Sequence, residues 1–135
     1  MNRRTFLAST AALAILPLRV TAAEPILYTP GSAEAAMDEG KIVLLDFWAS
    51  WCSTCAAQER VLSALKAENP AYEQQIVFYK IDWDAYGKDT LSKDLRIPRR
   101  STLVLLKGRE ELGRIVAGTS KAEIKALLDK ALGAS

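Results

Sequence analysis

The chain has 135 residues, half of them apolar and a quarter charged, which suits one ordinary globular domain and excludes fibrous repeats and long disorder. Lys and Arg number 18 against 16 Asp and Glu, a net charge of +2 that is too small to point to nucleic acid. Histidine is absent, which excludes Ser-His-Asp and Cys-His catalysis and any zinc site built on imidazole, and leaves the two cysteines, Cys52 and Cys55, as the main candidates for chemistry.

The basic excess lies at the front. Arg3, Arg4 and Arg19 fall in the first 22 residues, where there is no acid, and without them the balance is 15 basic to 16 acidic. Arg3 and Arg4 precede an uncharged stretch from Thr5 to Leu18, 14 residues long and short of the roughly 20 that span a bilayer. Val20-Thr21-Ala22 and Ala23 follow as small residues. Residues 1–22 therefore read as a signal peptide cleaved after Ala22, with 23–135 as the mature domain. An uncleaved N-terminal anchor is the alternative. The run Asn2-Arg3-Arg4-Thr5-Phe6-Leu7 resembles the twin-arginine pattern, which implies export of a folded protein across a bacterial inner membrane. Either export route leads to the periplasm, where disulfides form and persist.

Beyond a short lead-in, Ile26–Tyr28 reads as a brief strand. Gly31-Ser32 opens an Ala-rich helix over Ala33–Glu39, closed by Gly40. Lys41–Phe47 is a short apolar, β-branched run and reads as a buried strand, with Asp46 as an unexpected acid inside it. From Cys52 the spacing turns helical, with Leu62 and Leu65 on one face, until Asn69-Pro70 stops it. Ile76–Ile81 is the next strand, Lys88–Leu95 a short helix and Thr102–Leu106 a third strong strand. Lys107-Gly108-Arg109 turns the chain into a hairpin partner over Glu111–Val116. Ser120-Lys121-Ala122-Glu123 is a capping box, and the helix behind it places Ile124, Leu127, Leu128 and Ala131 on one face before Gly133 ends it. The order β-α-β-α-β-α-β-β-α argues for an α/β fold whose central sheet is mixed and flanked by helices.

Cys52-Ser53-Thr54-Cys55 is a C-x-x-C placed just after a buried strand and at the opening of a helix. Unpaired backbone N–H groups and the helix dipole stabilise an anion at Cys52, and the thiolate is the reactive form of a cysteine. Cys55 lies one turn further on the same face. Cys52 can attack a substrate disulfide, and Cys55 can then displace the substrate from the mixed disulfide. A purely stabilising cross-link is a weaker reading, because so short a loop constrains the unfolded chain little. Zinc is weaker still, because it needs about four ligands.

The segment Asp46-Phe47-Trp48-Ala49-Ser50-Trp51-Cys52-Ser53-Thr54-Cys55 resembles the active-site segment of the thioredoxin family. The likeness extends over most of residues 33–132, including Tyr79-Lys80-Ile81-Asp82, Thr102-Leu103-Val104-Leu105-Leu106 and Gly113–Gly118. It implies the thioredoxin fold and thiol–disulfide exchange, with Cys52 as nucleophile, Cys55 as resolving thiol and a redox-active disulfide between them. It also implies that Asp46 is buried beneath the pair and relays a proton for the resolving thiol, with Lys80 near it. Burial raises a carboxyl's pKa toward the value such a role requires. The plainer readings are an exposed strand acid and a solvated strand lysine. Trp48 and Trp51 are candidates for packing or for substrate contact, Trp51 being the one expected at the surface.

One position departs from the family. A cis-proline precedes the matching Thr-Leu strand in thioredoxins, and here Ser101 precedes Thr102-Leu103. Ser101 is expected in that place with a trans or strained backbone, since a cis bond before serine costs about 2.5–4 kcal/mol. Pro98 folding back is the alternative. This loop, with Arg99, Arg100, Ser101 and Thr102, joins Trp51 as the candidate substrate-binding surface. Two guanidinium groups beside a thiolate favour acidic partners. The resulting reading is a periplasmic thiol–disulfide oxidoreductase that reduces protein disulfides, with no cofactor, no resident metal and no nucleic acid. A membrane thiol carrier is its expected electron donor, because no Gly-rich dinucleotide motif is present. Ser53-Thr54 does not distinguish this from a disulfide-forming oxidase. A non-catalytic binding or metal-carrying module of the same fold is the reading from another class.

Overall fold

The computed structural model describes residues 11–16 and 22–135. Of the leader expected over residues 1–22, residues 1–10 and 17–21 lie outside the described residues. Residues 11–16 carry no helix or strand, and Leu13, Ile15 and Leu16 there are exposed.

Five strands and six helices follow in the order β1 (Ile26–Leu27), α1 (Ser32–Asp38), β2 (Ile42–Trp48), α2 (Ser53–Glu68), α3 (Ala71–Gln75), β3 (Ile76–Asp82), α4 (Trp83–Tyr86), α5 (Thr90–Asp94), β4 (Thr102–Lys107), β5 (Glu110–Val116) and α6 (Lys121–Ala134). The strands form one sheet in the order β1-β3-β2-β4-β5. β1, β3 and β2 run parallel, β4 pairs antiparallel with β2 and β5 antiparallel with β4, so the sheet is mixed as expected. α3 and α4 are additions to the sequence reading. α5 is shorter than the expected Lys88–Leu95, and α6 runs past Gly133 to Ala134.

Both faces of the sheet are covered, which is why β2 reads as a continuous apolar run. Alternation along the strand sends Ile42 and Leu44 to one face, where they pack with Leu62 and Leu65 of α2 and Ile124, Leu127 and Leu128 of α6. Val43, Leu45 and Phe47 enter the other layer with Met37, Val104 and Leu106. Asp46 shares the parity of Leu44 and so faces the layer held by α2. That placement puts an acid under the helix that begins at the cysteines.

Candidate functional site: a cysteine pair capped by a buried serine

The site forms where β2 runs out and α2 begins. Cys52 has an extended backbone, φ −92° and ψ 108°, and is the N-cap of α2. Its Sγ accepts the Cys55 N–H at 3.1 Å, the bond that an N-cap side chain takes from the third helical residue. The sulfur is thus aimed at the unpaired donors of the helix start, as the sequence implies. Cys52 and Cys55 are joined in a disulfide, and both are buried with Ala49 against Trp48 and Trp83.

Asp46 is 5% exposed and sits in the register position opposite Lys80 of β3. One of its oxygens, Oδ1, is buried without a hydrogen-bond partner. Burial, helped by the Glu59 carboxylate and opposed by Lys80, raises its pKa from 3.8 to about 7. The exposed-acid reading of Asp46 is therefore excluded. Asp46 lines a cavity of about 110 Å³ with Glu59, Leu62, Ser63, Lys66 and Lys80. Its lining mixes these polar groups with the apolar side chains of Leu44 and Phe78, and it is large enough to admit water beside the carboxyl.

Lys80 stands beside Asp46 but is ion-paired with Glu59 of α2. Its ammonium also lies 3.8 Å from the centre of the Trp48 ring. The cation is thus shared among a carboxylate, an aromatic face and the buried acid. Glu59 was missed in the sequence, although it falls four residues after Cys55 and so on a neighbouring part of the same helix face.

Trp51 is 59% exposed, and its indole N–H donates to Asp84 Oδ2 at 2.8 Å. The Arg100 guanidinium stacks 4.5 Å from the Trp51 ring centre. Arg100 Nε is buried and has no hydrogen-bond partner. Arg99 Nε donates to the Arg100 carbonyl at 3.1 Å. Trp51, Arg99 and Arg100 therefore form a rim beside Cys52. Thr102 is fully buried and its hydroxyl donates to the Arg99 carbonyl at 2.8 Å, so its side chain shapes the loop from inside and does not line the surface.

Ser101 is also fully buried, and every described peptide bond is trans. Its φ is +62°, a left-handed conformation that costs a non-glycine residue about 1 kcal/mol or more. Ser101 thus takes the expected place before β4 with a strained trans backbone. Pro98 is exposed and does not fold back toward the cysteines. The strained turn is fixed by three hydrogen bonds. Ser101 N–H donates to the Phe47 carbonyl at 2.7 Å, and its own carbonyl accepts from Ala117 N–H at 2.8 Å and from Gln58 Nε2 at 2.9 Å. Held this way, Ser101 Oγ lies 3.0 Å from Cys52 Sγ and 3.1 Å from Cys55 Sγ. Gln58, also missed in the sequence, donates as well to the Gly118 carbonyl at 2.9 Å. Its signal was its place three residues after Cys55, on the face that carries Leu62 and Leu65.

The comparisons with known proteins agree with this geometry. The thioredoxin family model matches residues 29–130. A thioredoxin H-type of Brassica campestris is 33% identical over 97 residues, covering 72% of this chain and 73% of its own. A thioredoxin of Mycolicibacterium smegmatis is 32% identical over 96 residues, covering 71% and 83%. Among solved structures, Trxlp from Edwardsiella tarda superposes with a TM-score of 0.67 at 30% identity, over 78% of this chain and 98% of that one. With a helix-capping cysteine pair above a buried acid, and with these matches, the chain belongs to the thioredoxin family and is a thiol–disulfide oxidoreductase acting on protein disulfides through Cys52 and Cys55.

Proposed function

We propose that the protein is exported to the periplasm and there reduces protein disulfides. The observation that carries the direction is the buried Asp46 beside the start of α2, with its carboxyl held near neutrality. Reduction requires Cys55 to become a thiolate while Cys52 is tied to substrate, and a proton acceptor of about that pKa serves this step. The Cys52 thiolate attacks a substrate sulfur, forming a mixed disulfide and releasing the first substrate thiolate. Asp46 takes the Cys55 proton in this reading, its cavity being lined also by Glu59, which lies one turn of α2 beyond Cys55. Cys55 then attacks Cys52 Sγ, the second substrate thiolate departs, and the protein is left as its disulfide. Lys80 balances the charge that develops on Asp46.

Regeneration needs two electrons per cycle. A membrane thiol carrier supplies them in this reading, because the sequence has no dinucleotide-binding motif. Trp51, Arg99 and Arg100 supply the docking rim, whose two guanidinium groups favour acidic partners. Export rests on Arg3, Arg4 and the uncharged stretch behind them, and is supported by the exposed apolar residues Leu13, Ile15 and Leu16.

A second reading, disulfide formation, is favoured by the donors that converge on Cys52 Sγ, since each stabilises the thiolate and hence the reduced protein. Mixed-disulfide trapping tests the shared mechanism. Cys55→Ser should accumulate substrate on Cys52, and Cys52→Ser should accumulate none. Trapping by Cys52→Ser alone would reverse the assignment. For export, sequencing the N-terminus of the periplasmic fraction should give a start at Ala23, and a retained Met1 there would contradict cleavage.

A further inference from the structure

We propose that the Ser101 hydroxyl is a catalytic hydrogen-bond donor that stabilises whichever active-site sulfur carries the negative charge, with Gln58 as the residue that positions it. The inference rests on thiol–disulfide exchange at Cys52 and Cys55 and holds for either direction of that exchange.

The geometry leaves the hydroxyl little choice. Ser101 is fully buried, and its backbone is fixed by the bonds to Phe47, Ala117 and Gln58. Its Oγ has both sulfurs within 3.1 Å, Cys52 Sγ at 3.0 Å and Cys55 Sγ at 3.1 Å. A disulfide sulfur carries no proton, so in this state the hydroxyl is the donor. The hydroxyl has one proton and a free rotor, so it serves one sulfur at a time.

The strength of that bond changes through the cycle. A disulfide sulfur is a weak, neutral acceptor, whereas a thiolate is charged, and charge-assisted bonds are about twice as strong as neutral ones. Burial strengthens the contrast. In the reduced protein the hydroxyl turns to the Cys52 thiolate. Once Cys52 is bonded to substrate sulfur, the charge moves to Cys55, and the same hydroxyl reaches it without moving its backbone. Cys55 then attacks Cys52 Sγ, the Cys52–substrate bond breaks, and the pair closes to a disulfide. Two electrons pass from the dithiol to the substrate disulfide, and the two protons lost by the cysteines balance those taken up by the two substrate thiols. Serine at this position thus supplies a donor that a proline, with no hydroxyl and no N–H, lacks.

Gln58 makes the arrangement rigid. Its amide group bridges the Ser101 and Gly118 carbonyls from inside α2, so the strained turn is anchored to the helix that carries both cysteines. The left-handed backbone at Ser101 is then a constraint kept for the placement of the hydroxyl.

Ser101→Gly is the direct test, because glycine accepts φ +62° and removes only the side chain. Two quantities are read on the purified full-length mature protein: the Cys52 pKa from thiolate absorbance, and the equilibrium constant with glutathione. The variant should raise the Cys52 pKa by about one unit. It should shift the equilibrium about tenfold toward the disulfide, which is about 30 mV more negative. Gln58→Leu should move both values the same way by less, since the hydroxyl remains but its anchor is lost. If the wild-type pair exchanges with glutathione and Ser101→Gly leaves both values unchanged, the inference is overturned while the oxidoreductase stands. If the wild-type pair exchanges with no thiol, the underlying reading fails instead.

Discussion

Replacing Asp46 with Asn should remove a pH-dependent cost from the folded protein. Burial, reinforced by Glu59 and partly offset by Lys80, lifts the Asp46 carboxyl from 3.8 to about 7. In the folded chain the carboxyl keeps its proton over a range in which the unfolded chain has lost it. Below about pH 4 both states are protonated and Asp46 contributes nothing to the balance. From about pH 4 to about pH 7 the folded state binds more protons than the unfolded state, so stability falls as pH rises. Above that range the full cost remains. A gap of about three pH units at about 1.4 kcal/mol each gives roughly 4 kcal/mol. Asn is of the same size and never ionises, so the variant lacks this cost. Its amide is imperfectly paired, at about 1–3 kcal/mol independent of pH. The stability of Asp46→Asn minus that of wild type should therefore climb by roughly 4 kcal/mol between pH 4 and pH 8. Guanidinium unfolding of both oxidised proteins across that range measures it. A difference that stays constant with pH would refute the buried, neutral carboxyl.

Three further predictions follow from the same contacts. Glu59→Gln removes the charge that helps raise Asp46 and frees Lys80 to face it, so the acid limb of the pH–rate profile for substrate reduction should move down by about one unit; an unmoved profile would remove Glu59 from the relay. Replacing Arg99 and Arg100 with Gln should slow reduction of an acidic peptide disulfide several-fold at low salt, with the difference lost at high salt and absent for a neutral peptide. Equal slowing of both peptides would mean that the loop had changed shape. Leu105→Ala empties a fully buried position in the α6-facing layer and should cost about 2–5 kcal/mol in chemical denaturation. A loss below about 1 kcal/mol would show that this layer can collapse around the gap.

The parts of the fold that local chemistry dictates were legible in the sequence. The C-x-x-C could be placed at a helix start because an apolar strand and a helical spacing flank it, and Cys52 is the N-cap. The inward face of α6 followed from spacing alone, and Ile124, Leu127, Leu128 and Ala131 are all buried. α3 went unread because it is a single polar turn, with Tyr72 its one buried side chain, entered through Pro70. α4 is a four-residue turn started by the Asp82 carboxylate, which carries no periodic signal. α6 continues through Gly133 because a glycine near a terminus weakens a helix without ending it. At the site, the cysteines were readable from their place between strand and helix, whereas the acid beneath them was implied only by the likeness to the thioredoxin family. The links between distant segments were not. Gln58 meets Ser101 and Gly118 across 43 and 60 residues, and Glu59 meets Lys80 across the helix–sheet boundary. Ser101 was singled out only because a proline was missing, and nothing about a serine announces φ +62°.

The reduction potential of the Cys52–Cys55 pair tests the central claim most directly. It compares the stability of the dithiol and the disulfide and does not depend on the identity of the substrate. Equilibration of the mature protein against glutathione or a reference dithiol gives the value. A protein that reduces disulfides should lie closer to about −270 mV than to about −120 mV. A value near about −120 mV would contradict that direction and make the protein an oxidant working through the same two cysteines.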